Sequence, residues 1–430
     1  MKIKIIEKSY SEVMNLPIPK HKLPIKMGIF WRVLIKCLSK ANLSKYKIKY
    51  NEHRTELLPM DTPCLVLMNH SGFIDMQIAA DRLFPRPFST VCTTDGYVGL
   101  STLMRLIGCI PTQKFVTDIS LIRDITYALT RLKTDVLMYP EACYSFDGRA
   151  NALPESLGRL IKKLKVPVVT IITKGAFLRE PLYNMLRHRR VKLEADVTYL
   201  ITPEEAESLS SSELFERVSD AFSFDSFKWQ QENKIEISED FRADGLERVL
   251  YKCPHCLSES NIHGNGTVWR CDECGTEYEL DVYGFMKARN TVSRFEHIPD
   301  WYDWERCEVK KEIEEGTYGL ETDVDIYMLV DYKALYKVGD GQLTHNSEGF
   351  TLRGCDGQID YKQSALSSYT VNSDYYWYEI GDMISIGNKR HLFYLFPKGQ
   401  KINVAKVKFA VEELYKIKIK ESREIKSATV

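Results

Sequence analysis

Short apolar runs alternate with amphipathic helical patterns between residues 50 and 200, an order that is typical of an α/β domain. The apolar runs predict strands at Cys64–Met68, Phe88–Cys92, Val136–Tyr139, Val166–Ile172 and Val191–Tyr199. The helical patterns predict helices at Asp75–Leu83, Ser101–Ile107, Ile119–Leu132 and Glu155–Leu164. Ser211 or Ser212 can cap a further helix that closes this domain near residue 235. The apolar face of that helix holds Leu214, Val218 and Phe222.

The pattern changes to a period of two between Arg306 and Pro397. It predicts strands at Asp325–Asp331, Tyr375–Ile380, Met383–Ile386 and His391–Phe396. Hairpin turns are predicted at Gly339–Gly341 and Gly381–Asp382, and an amphipathic helix is predicted at Val404–Ile417. The last dozen residues are charged, and we expect them to be frayed. Several short strands closed by one helix resemble a pleckstrin-homology-like barrel.

A helical pattern in residues 24–41 places Arg32, Lys36 and Lys40 on one stripe, with apolar residues on the broad opposite side. The first 50 residues hold twelve Lys and Arg against two acidic residues. Such a helix suits the membrane interface, with the apolar side in the acyl boundary and the cations at anionic headgroups. The alternative is a helix packed on the protein's own core with a solvated basic face, and the pattern alone does not separate the two.

The composition limits the class of protein. With 430 residues the chain is too long for one ordinary core, and the balance of 59 basic and 59 acidic residues implies no polyelectrolyte partner for the whole chain. The N-terminus has no cleavable signal pattern, and no apolar segment is long enough to predict a spanning helix. Eleven cysteines, seven of them scattered, therefore indicate a reducing cytoplasm more than a disulfide framework.

Four cysteines form two Cys-x-x-Cys pairs separated by a short, turn-rich stretch: Cys253, Cys256, Cys271 and Cys274. Two such pairs can supply four thiolates tetrahedrally to zinc, and the pattern resembles a zinc ribbon. Disulfides are the alternative, which a cytoplasmic location disfavours. A zinc ion with four cysteine ligands is coordinatively closed, so we expect a structural role. Because nothing nearby adds a basic surface, a docking or spacer role is favoured over nucleic-acid binding.

The apolar run Leu65–Met68 ends in Asn69-His70-Ser71-Gly72, and Asp75 follows at the start of a helical pattern. This spacing places a histidine on a turn and a carboxylate in the helix that follows. The carboxylate can fix the tautomer of the imidazole and stabilise its protonated form, as a general base requires. Taken alone, this pair is weak evidence, and a capping or core histidine would be the favoured interpretation of His70.

The residues Asn69-His70-x4-Asp75 resemble the first motif of the 1-acylglycerol-3-phosphate (lysophospholipid) acyltransferase family. Three further stretches match that family's other motifs in the same order: Gly108–Lys114, Tyr139–Ser145 and Val166–Ile171. The resemblance covers roughly residues 50–235. It implies a mixed sheet with flanking helices and the transfer of a fatty acyl group to a hydroxyl.

The resemblance implies that His70 is the base and that Asp75 orients it. It implies acceptor contacts by Glu141 and by Lys114, which would bind a phosphate as a point charge. Asn69, Gly72 and Ser145 are further candidate substrate-binding residues by their places in the motifs, and Gly72 would permit close approach of backbone to substrate. As isolated residues, Glu141 and Lys114 would be a turn-capping carboxylate and a solvated lysine.

The chain departs from the family's pattern in the third motif. Tyr144 stands where family members usually carry an arginine that holds the acceptor phosphate, and Ala142-Cys143 replaces Gly-Thr. Arg149 or Lys114 is a candidate substitute for that arginine. Acyl transfer is therefore indicated more firmly than lysophosphatidate as the acceptor.

The sequence thus predicts a cytoplasmic acyltransferase that is peripherally associated with the inner face of a membrane. The expected partners are acyl-CoA or acyl carrier protein as donor, a lysophospholipid acceptor and an anionic lipid surface, with no nucleic acid and no redox cofactor. The alternatives are glycerol 3-phosphate or a non-phosphate lipid as acceptor, or a lipid-binding adaptor without turnover. The predicted division is a basic membrane-interface segment (1–49), an acyltransferase domain (50–240), a zinc ribbon (241–285) and a β-rich domain with a C-terminal helix (286–430).

Overall fold

The computed structural model of the chain describes residues 2–59, 61–116, 118–399 and 402–428. Its N-terminal elements are β1 (Ile5–Glu7), α1 (Tyr10–Met14), α2 (Ile29–Leu43) and β2 (Lys49–His53). The segment that the sequence groups as residues 1–49 is divided between two parts of the fold. β1 pairs with a strand of the C-terminal domain, whereas α2 packs against the α/β domain and leads to β2, which joins the sheet of that domain.

The α/β domain follows in chain order. Its elements are β3 (Leu65–Met68), α3 (Ile74–Leu83), β4 (Phe88–Thr93), α4 (Ser101–Leu106), β5 (Cys109–Thr112), α5 (Ile119–Tyr127), β6 (Asp135–Met138), α6 (Ser156–Leu164), β7 (Val168–Lys174), α7 (Ala176–Arg179), β8 (Glu194–Ile201), α8 (Pro203–Ser208), α9 (Ser211–Ala221) and α10 (Ser226–Glu232). A π-helical turn at Ala128–Leu132 continues α5.

The strands form one seven-stranded sheet in the order β2-β8-β7-β3-β6-β4-β5. The sheet is mixed, because β8 runs antiparallel to β7 while β7, β3, β6, β4 and β5 are parallel. Alternate side chains of β3 enter two separate cores, Val66 and Met68 on one face and Leu65 and Leu67 on the other. This confirms the predicted mixed sheet with helices on both faces.

The five predicted strands of this domain are present, with ends that shift by one to three residues. The pattern did not predict β2 and β5, which lie at the two edges of the sheet. The cap of α9 is Ser210 and not Ser211 or Ser212. Its hydroxyl accepts the amide of Glu213 at 3.2 Å, and the Glu213 carboxylate accepts the amide of Ser210 in return.

The cysteine-rich region is a small antiparallel sheet followed by a long helix. Its elements are β9 (Ile262–Asn265), β10 (Val268–Cys271), β11 (Glu277–Leu280), β12 (Met286–Ala288) and α11 (Ile298–Glu314). Trp269 of β10 is fully buried and its ring lies 4.7 Å from that of Trp301 of α11. The small sheet is therefore packed onto the helix that leads into the last domain.

The C-terminal domain is an antiparallel sheet closed by one helix. Its elements are β13 (Leu320–Met328), β14 (Leu335–Asn346), β15 (Gly349–Gly354), β16 (Ile359–Ser364), β17 (Asn372–Trp377), β18 (Gly381–Gly387), β19 (Leu392–Pro397) and α12 (Val404–Ala428). The strand order is β16-β15-β14-β13-β19-β18-β17, and β1 adds a parallel pairing to β14. This confirms the expected β-rich region. The predicted strands in it are present with shifted ends.

The predicted hairpin turn at Gly339–Gly341 is wrong, because these residues lie inside β14. The pairing of β13 with β14 changes register between Ile326 and Tyr327, opposite Gly339, whose φ is +145°. A Cβ on Gly341 would stand 2.2 Å from the carbonyl oxygen of Arg353. Gly339 thus allows the β-bulge, and Gly341 allows the neighbouring strand to approach closely. The predicted turn at Gly381–Asp382 is displaced, because both residues belong to β18 and the turn lies just before them, at residues 378–380.

The C-terminal helix continues beyond the predicted end at Ile417 to Ala428, so residues 419–428, expected to be frayed, are helical. α12 packs against α11 and β17. Among the residues that the structure describes, no helix is both long and apolar enough to cross a membrane.

Candidate active site

Four ionisable side chains follow four neighbouring parallel strands. His70 comes after β3, Glu141 after β6, Asp95 after β4 and Lys114 after β5. Because the carboxyl ends of parallel strands meet at one edge of the sheet, the four residues are arranged along that edge in the order of the strands. The crevice at this edge is the usual ligand site of open α/β sheets.

The imidazole of His70 is oriented by a carboxylate. Its Nδ1 lies 3.2 Å from Oδ2 of Asp75, which is completely buried. The same oxygen accepts the backbone amides of Ser71 at 2.7 Å and Gly72 at 3.0 Å. The carboxylate is therefore held in place independently of the ring. Nδ1 carries the proton toward Asp75, which leaves Nε2 as the basic nitrogen.

The His70 ring lies between two tyrosines, and 23% of its side chain is exposed. It stacks on Tyr139 at 4.1 Å between centroids and meets the edge of Tyr144 at 4.4 Å. Burial lowers the pKa of His70, Asp75 opposes this, and the positive charge of Lys114 lowers it further. The imidazole is therefore neutral near pH 7, which is the form that accepts a proton.

Asn69 locks the turn that carries His70 to the neighbouring strand β7. Its Nδ2 donates to the carbonyl of Thr173 at 3.1 Å, and its Oδ1 accepts the Thr173 amide at 2.8 Å. The hydroxyl of Thr173 donates to Oδ1 of Asn69 at 3.0 Å and lies 3.4 Å from Oδ1 of Asp75. Asn69 thus fixes the position of the turn that carries His70. Thr173 was not identified from the sequence, because it stands just beyond the end of the fourth matched motif.

Glu141 is buried and joins two segments of backbone. Its Oε1 accepts the amide of His70 at 3.1 Å, and its Oε2 accepts the amide of Asn151 at 2.7 Å. Burial raises the pKa of Glu141 to about 7, while the hydrogen bonds act in the opposite direction. These contacts hold the His70 turn against the loop of the third motif. Asn151 had no signal in the motifs.

Lys114 lies near His70 but forms no ion pair within 4.0 Å in the part of the chain that the structure describes. Burial acts to lower the pKa of Lys114, but the neighbouring Cys143, Asp374 and Asp95 outweigh it and raise the pKa. The ammonium group is thus charged, and its charge acts on His70. Asp95 and Asp374 were not identified from the sequence, and Asp374 belongs to the C-terminal domain.

Two residues of the third motif serve the loop itself. The hydroxyl of Ser145 donates to the carbonyl of Arg149 at 2.6 Å and accepts the amide of Gly148 at 2.9 Å. The guanidinium of Arg149 binds Asp147 and Asp303 of α11, each at 2.7 Å. Arg149 lines a separate cavity of about 440 Å³ between the α/β domain, α11 and α12, and His70 is not among the residues that line this cavity.

Gly72 does not have the left-handed backbone that favours glycine, and a Cβ there would make ordinary contact with Glu180 at 3.4 Å. Its amide is committed to Asp75, as is that of Ser71. These two amides therefore cannot also stabilise a developing oxyanion.

The four paired cysteines converge. The sulfur atoms of Cys253, Cys256, Cys271 and Cys274 all lie within 4.8 Å of one another. Sγ of Cys253 is 3.6 Å from Sγ of Cys274, and Sγ of Cys256 is 3.7 Å from Sγ of Cys271. A tetrahedral site with zinc–sulfur bonds of about 2.3 Å requires sulfurs about 3.8 Å apart. The cluster can hold a metal ion and fits structural zinc.

Residues 49–174 match the family model described as Acyltransferase, so this part of the chain is an acyltransferase domain. Among solved structures, the crystal structure of the 1-acyl-sn-glycerophosphate (LPA) acyltransferase PlsC from Thermotoga maritima is similar at 15% identity, with a TM-score of 0.35. That match covers 44% of this chain and 76% of that one. No curated protein matches the chain.

Proposed function

We propose that this protein is an O-acyltransferase that moves a fatty acyl group from acyl-CoA or acyl carrier protein to the hydroxyl of a lysophospholipid in phospholipid biosynthesis. The observation that carries the proposal is the His70–Asp75 pair. It lies inside the acyltransferase domain, its basic nitrogen has no hydrogen-bond partner among the described residues, and the charge of Lys114 acts on it. A neutral, oriented imidazole supplies what a hydroxyl lacks near neutral pH, a base at the moment of attack.

In the proposed reaction Nε2 of His70 removes the hydroxyl proton as the acceptor oxygen attacks the thioester carbonyl. The tetrahedral intermediate then collapses, the carbon–sulfur bond breaks, and His70 returns the proton to the departing thiolate. The products are an ester and a free thiol, and no acyl-enzyme is required. Asp75 stabilises the imidazolium that exists between the two proton transfers, at 3.2 Å from Nδ1.

Acceptor recognition is assigned to the group of residues at the edge of the sheet. Lys114 binds the acceptor phosphate, since its ammonium has no ion pair within 4.0 Å among the described residues. Tyr144 forms one wall of the site at 4.4 Å from His70. Arg149 is not assigned to the acceptor, because Asp147 and Asp303 already satisfy its guanidinium.

Membrane association is assigned to the outer face of α2. Phe30, Val33 and Leu38 are 66%, 42% and 64% exposed, while Lys36 of the predicted basic stripe pairs with Asp81 of α3 at 2.6 Å. The helix therefore turns its apolar side outward, which supports the membrane alternative over packing on the protein's own core. α2 packs against α3, so this surface is one helix away from Asp75.

Zinc is assigned to Cys253, Cys256, Cys271 and Cys274, where it would stabilise the small sheet next to α11. Four thiolates leave no open position for a substrate, so the metal has no part in the proposed reaction. The cysteine-rich sheet then acts as the spacer that sets the C-terminal domain against the acyltransferase domain.

The test is acyl transfer from labelled acyl-CoA and acyl carrier protein to a panel of lyso-lipids, with wild type, His70→Ala and the control His263→Ala. His263 is an exposed histidine of β9, so its replacement should leave turnover unchanged. Turnover that is lost only in His70→Ala supports the proposal. Lipid binding without turnover on any acceptor would favour the adaptor, and turnover that survives in His70→Ala would exclude this mechanism.

A further inference from the structure

Strand β17 of the C-terminal domain lies against the loop of the third motif, Tyr139–Ser145, in the acyltransferase domain. Oδ1 of Asn372 is 3.8 Å from Sγ of Cys143, two residues after Glu141. The rings of Phe115 and Tyr369 lie 5.8 Å apart, so the residue next to Lys114 touches the segment that leads into β17. A domain outside the family match thus forms one wall of the candidate active site.

Asp374 projects from β17 toward the same loop as Asn372. The two residues are separated by two positions in a regularly paired stretch, since Asn372 is opposite Ser385 and Asp374 is opposite Met383. Alternate residues of a strand share a face. Asp374 is half-buried, and its carboxylate accepts a hydrogen bond from the amide of Tyr375 at 3.0 Å.

Asp95 supplies a second carboxylate from the acyltransferase domain. It follows β4, the strand between β6 and β5 in the sheet, and only 9% of it is exposed. Its Oδ2 accepts the hydroxyl of Tyr378, again from the C-terminal domain, at 3.2 Å. Both Asp95 and Asp374 act electrostatically on Lys114, and Lys114 acts on His70.

Lys114 and the two carboxylates that act on it, Asp95 and Asp374, do not balance in charge. Two carboxylates accompany one ammonium, and within the described ranges no ion pair of 4.0 Å or less joins Lys114, Asp95 or Asp374 to an opposite charge. Burial raises the pKa of Asp374 to about 6, so it is still largely ionised near pH 7. Charges in partly buried places are costly unless they are paired. Within this group of three, the carboxylates therefore outnumber the cations, which leaves room for a cation from a ligand.

We infer that the acceptor is a lysophospholipid with a zwitterionic head group, which places its phosphate at Lys114 and its ammonium between Asp95 and Asp374. The inference rests on the proposed function and names its substrate class. A phosphomonoester acceptor brings nearly two negative charges and no cation, so the two carboxylates repel it.

The experiment uses the full chain and three lyso-lipids with the same acyl chain: lysophosphatidylethanolamine, lysophosphatidate and monoacylglycerol. We expect kcat/KM of the wild type to be highest for the ethanolamine lipid. Asp374→Asn should lower that value about tenfold and should not lower the value for lysophosphatidate. Asp95→Asn is the second variant in case Asp374→Asn does not fold. Asp360→Asn, on the exposed surface of the same domain, is the control.

Equilibrium binding of the same lipids to His70→Ala, with and without Asp374→Asn, separates the two proposals. One outcome is that His70→Ala binds the ethanolamine lipid preferentially, that Asp374→Asn removes this preference, and that the wild type shows no turnover. This outcome supports the inference and excludes the proposed function. A wild type that prefers lysophosphatidate overturns the inference. An Asp374→Asn variant that weakens all three lipids equally also overturns it.

Discussion

Nδ1 of His70 lies 3.2 Å from Oδ2 of Asp75, and this carboxylate oxygen has hydrogen-bond partners besides the ring. Asp75 is anchored by the amides of Ser71 and Gly72, in the turn that carries His70. The geometry of the pair therefore comes from the backbone of one short turn.

Replacing Asp75 by Asn should lower kcat by about 10²- to 10⁴-fold, because the amide cannot stabilise an imidazolium and favours the wrong tautomer. The KM for the acceptor should change little. Steady-state kinetics on Asp75→Asn, beside Asp81→Asn as a control on the same helix, checks this. Asp81 pairs with Lys36 away from His70. An unchanged kcat in Asp75→Asn contradicts the assigned role.

The acid limb of kcat/KM should lie below pH 6.5, because burial lowers the pKa of His70 and activity needs the neutral imidazole. Lys114 also lowers that pKa, so Lys114→Met should move the limb to higher pH. The same variant should raise KM for phosphate-bearing acceptors and leave neutral acceptors nearly unchanged.

The pH–rate profiles of wild type, Lys114→Met and Lys228→Met test this pair of effects. Lys228 is an exposed lysine of α10, and its replacement should leave the limb in place. If the acid limb of kcat/KM does not move in Lys114→Met, or moves to lower pH, the result contradicts the electrostatic effect of Lys114 on His70.

The purified protein should contain one zinc per chain, and Cys271→Ser should lose it, because a tetrahedral thiolate site tolerates no missing ligand of this kind. Thermal unfolding of the variant should begin at a lower temperature. Metal analysis with Cys307→Ser as the matched control is the measurement, since Cys307 is exposed and lies outside the cluster. Protein without stoichiometric zinc would rule out the assignment.

Phe30→Glu with Leu38→Glu should weaken binding to anionic vesicles by about tenfold or more, since each side chain contributes roughly 1.5–3 kcal/mol when fully buried in an apolar phase. Both side chains are more than 60% exposed, so folding stability should be nearly unchanged. Vesicle sedimentation compares this variant with Val292→Glu, a control at an exposed valine. Equal binding of the two variants would exclude α2 as the docking surface.

Features that depend on neighbouring residues in the chain were predictable. His70 and Asp75 meet because five positions span one turn and the start of a helix. β3, β6 and β7 are buried on both faces, so they appear as continuous apolar runs. The edge strand β2 has the sequence Lys-Tyr-Asn-Glu-His and is only partly covered, so its side chains carry no such signal.

Only the tertiary structure decided the features that join distant segments. Arg149 lies close to the third motif in the sequence. Its guanidinium nevertheless pairs with Asp303 of α11, which is 154 residues later in the chain. The apolar side of α2 faces outward because Lys36 pairs with α3, which the helical pattern cannot reveal. The sequence by itself determined that His70 lies beside Asp75 and that the four cysteines Cys253, Cys256, Cys271 and Cys274 converge, because each arrangement is local in the chain. The wall of the site that carries Asp374 depends on how one domain packs on another, and no periodicity along the chain encodes that contact.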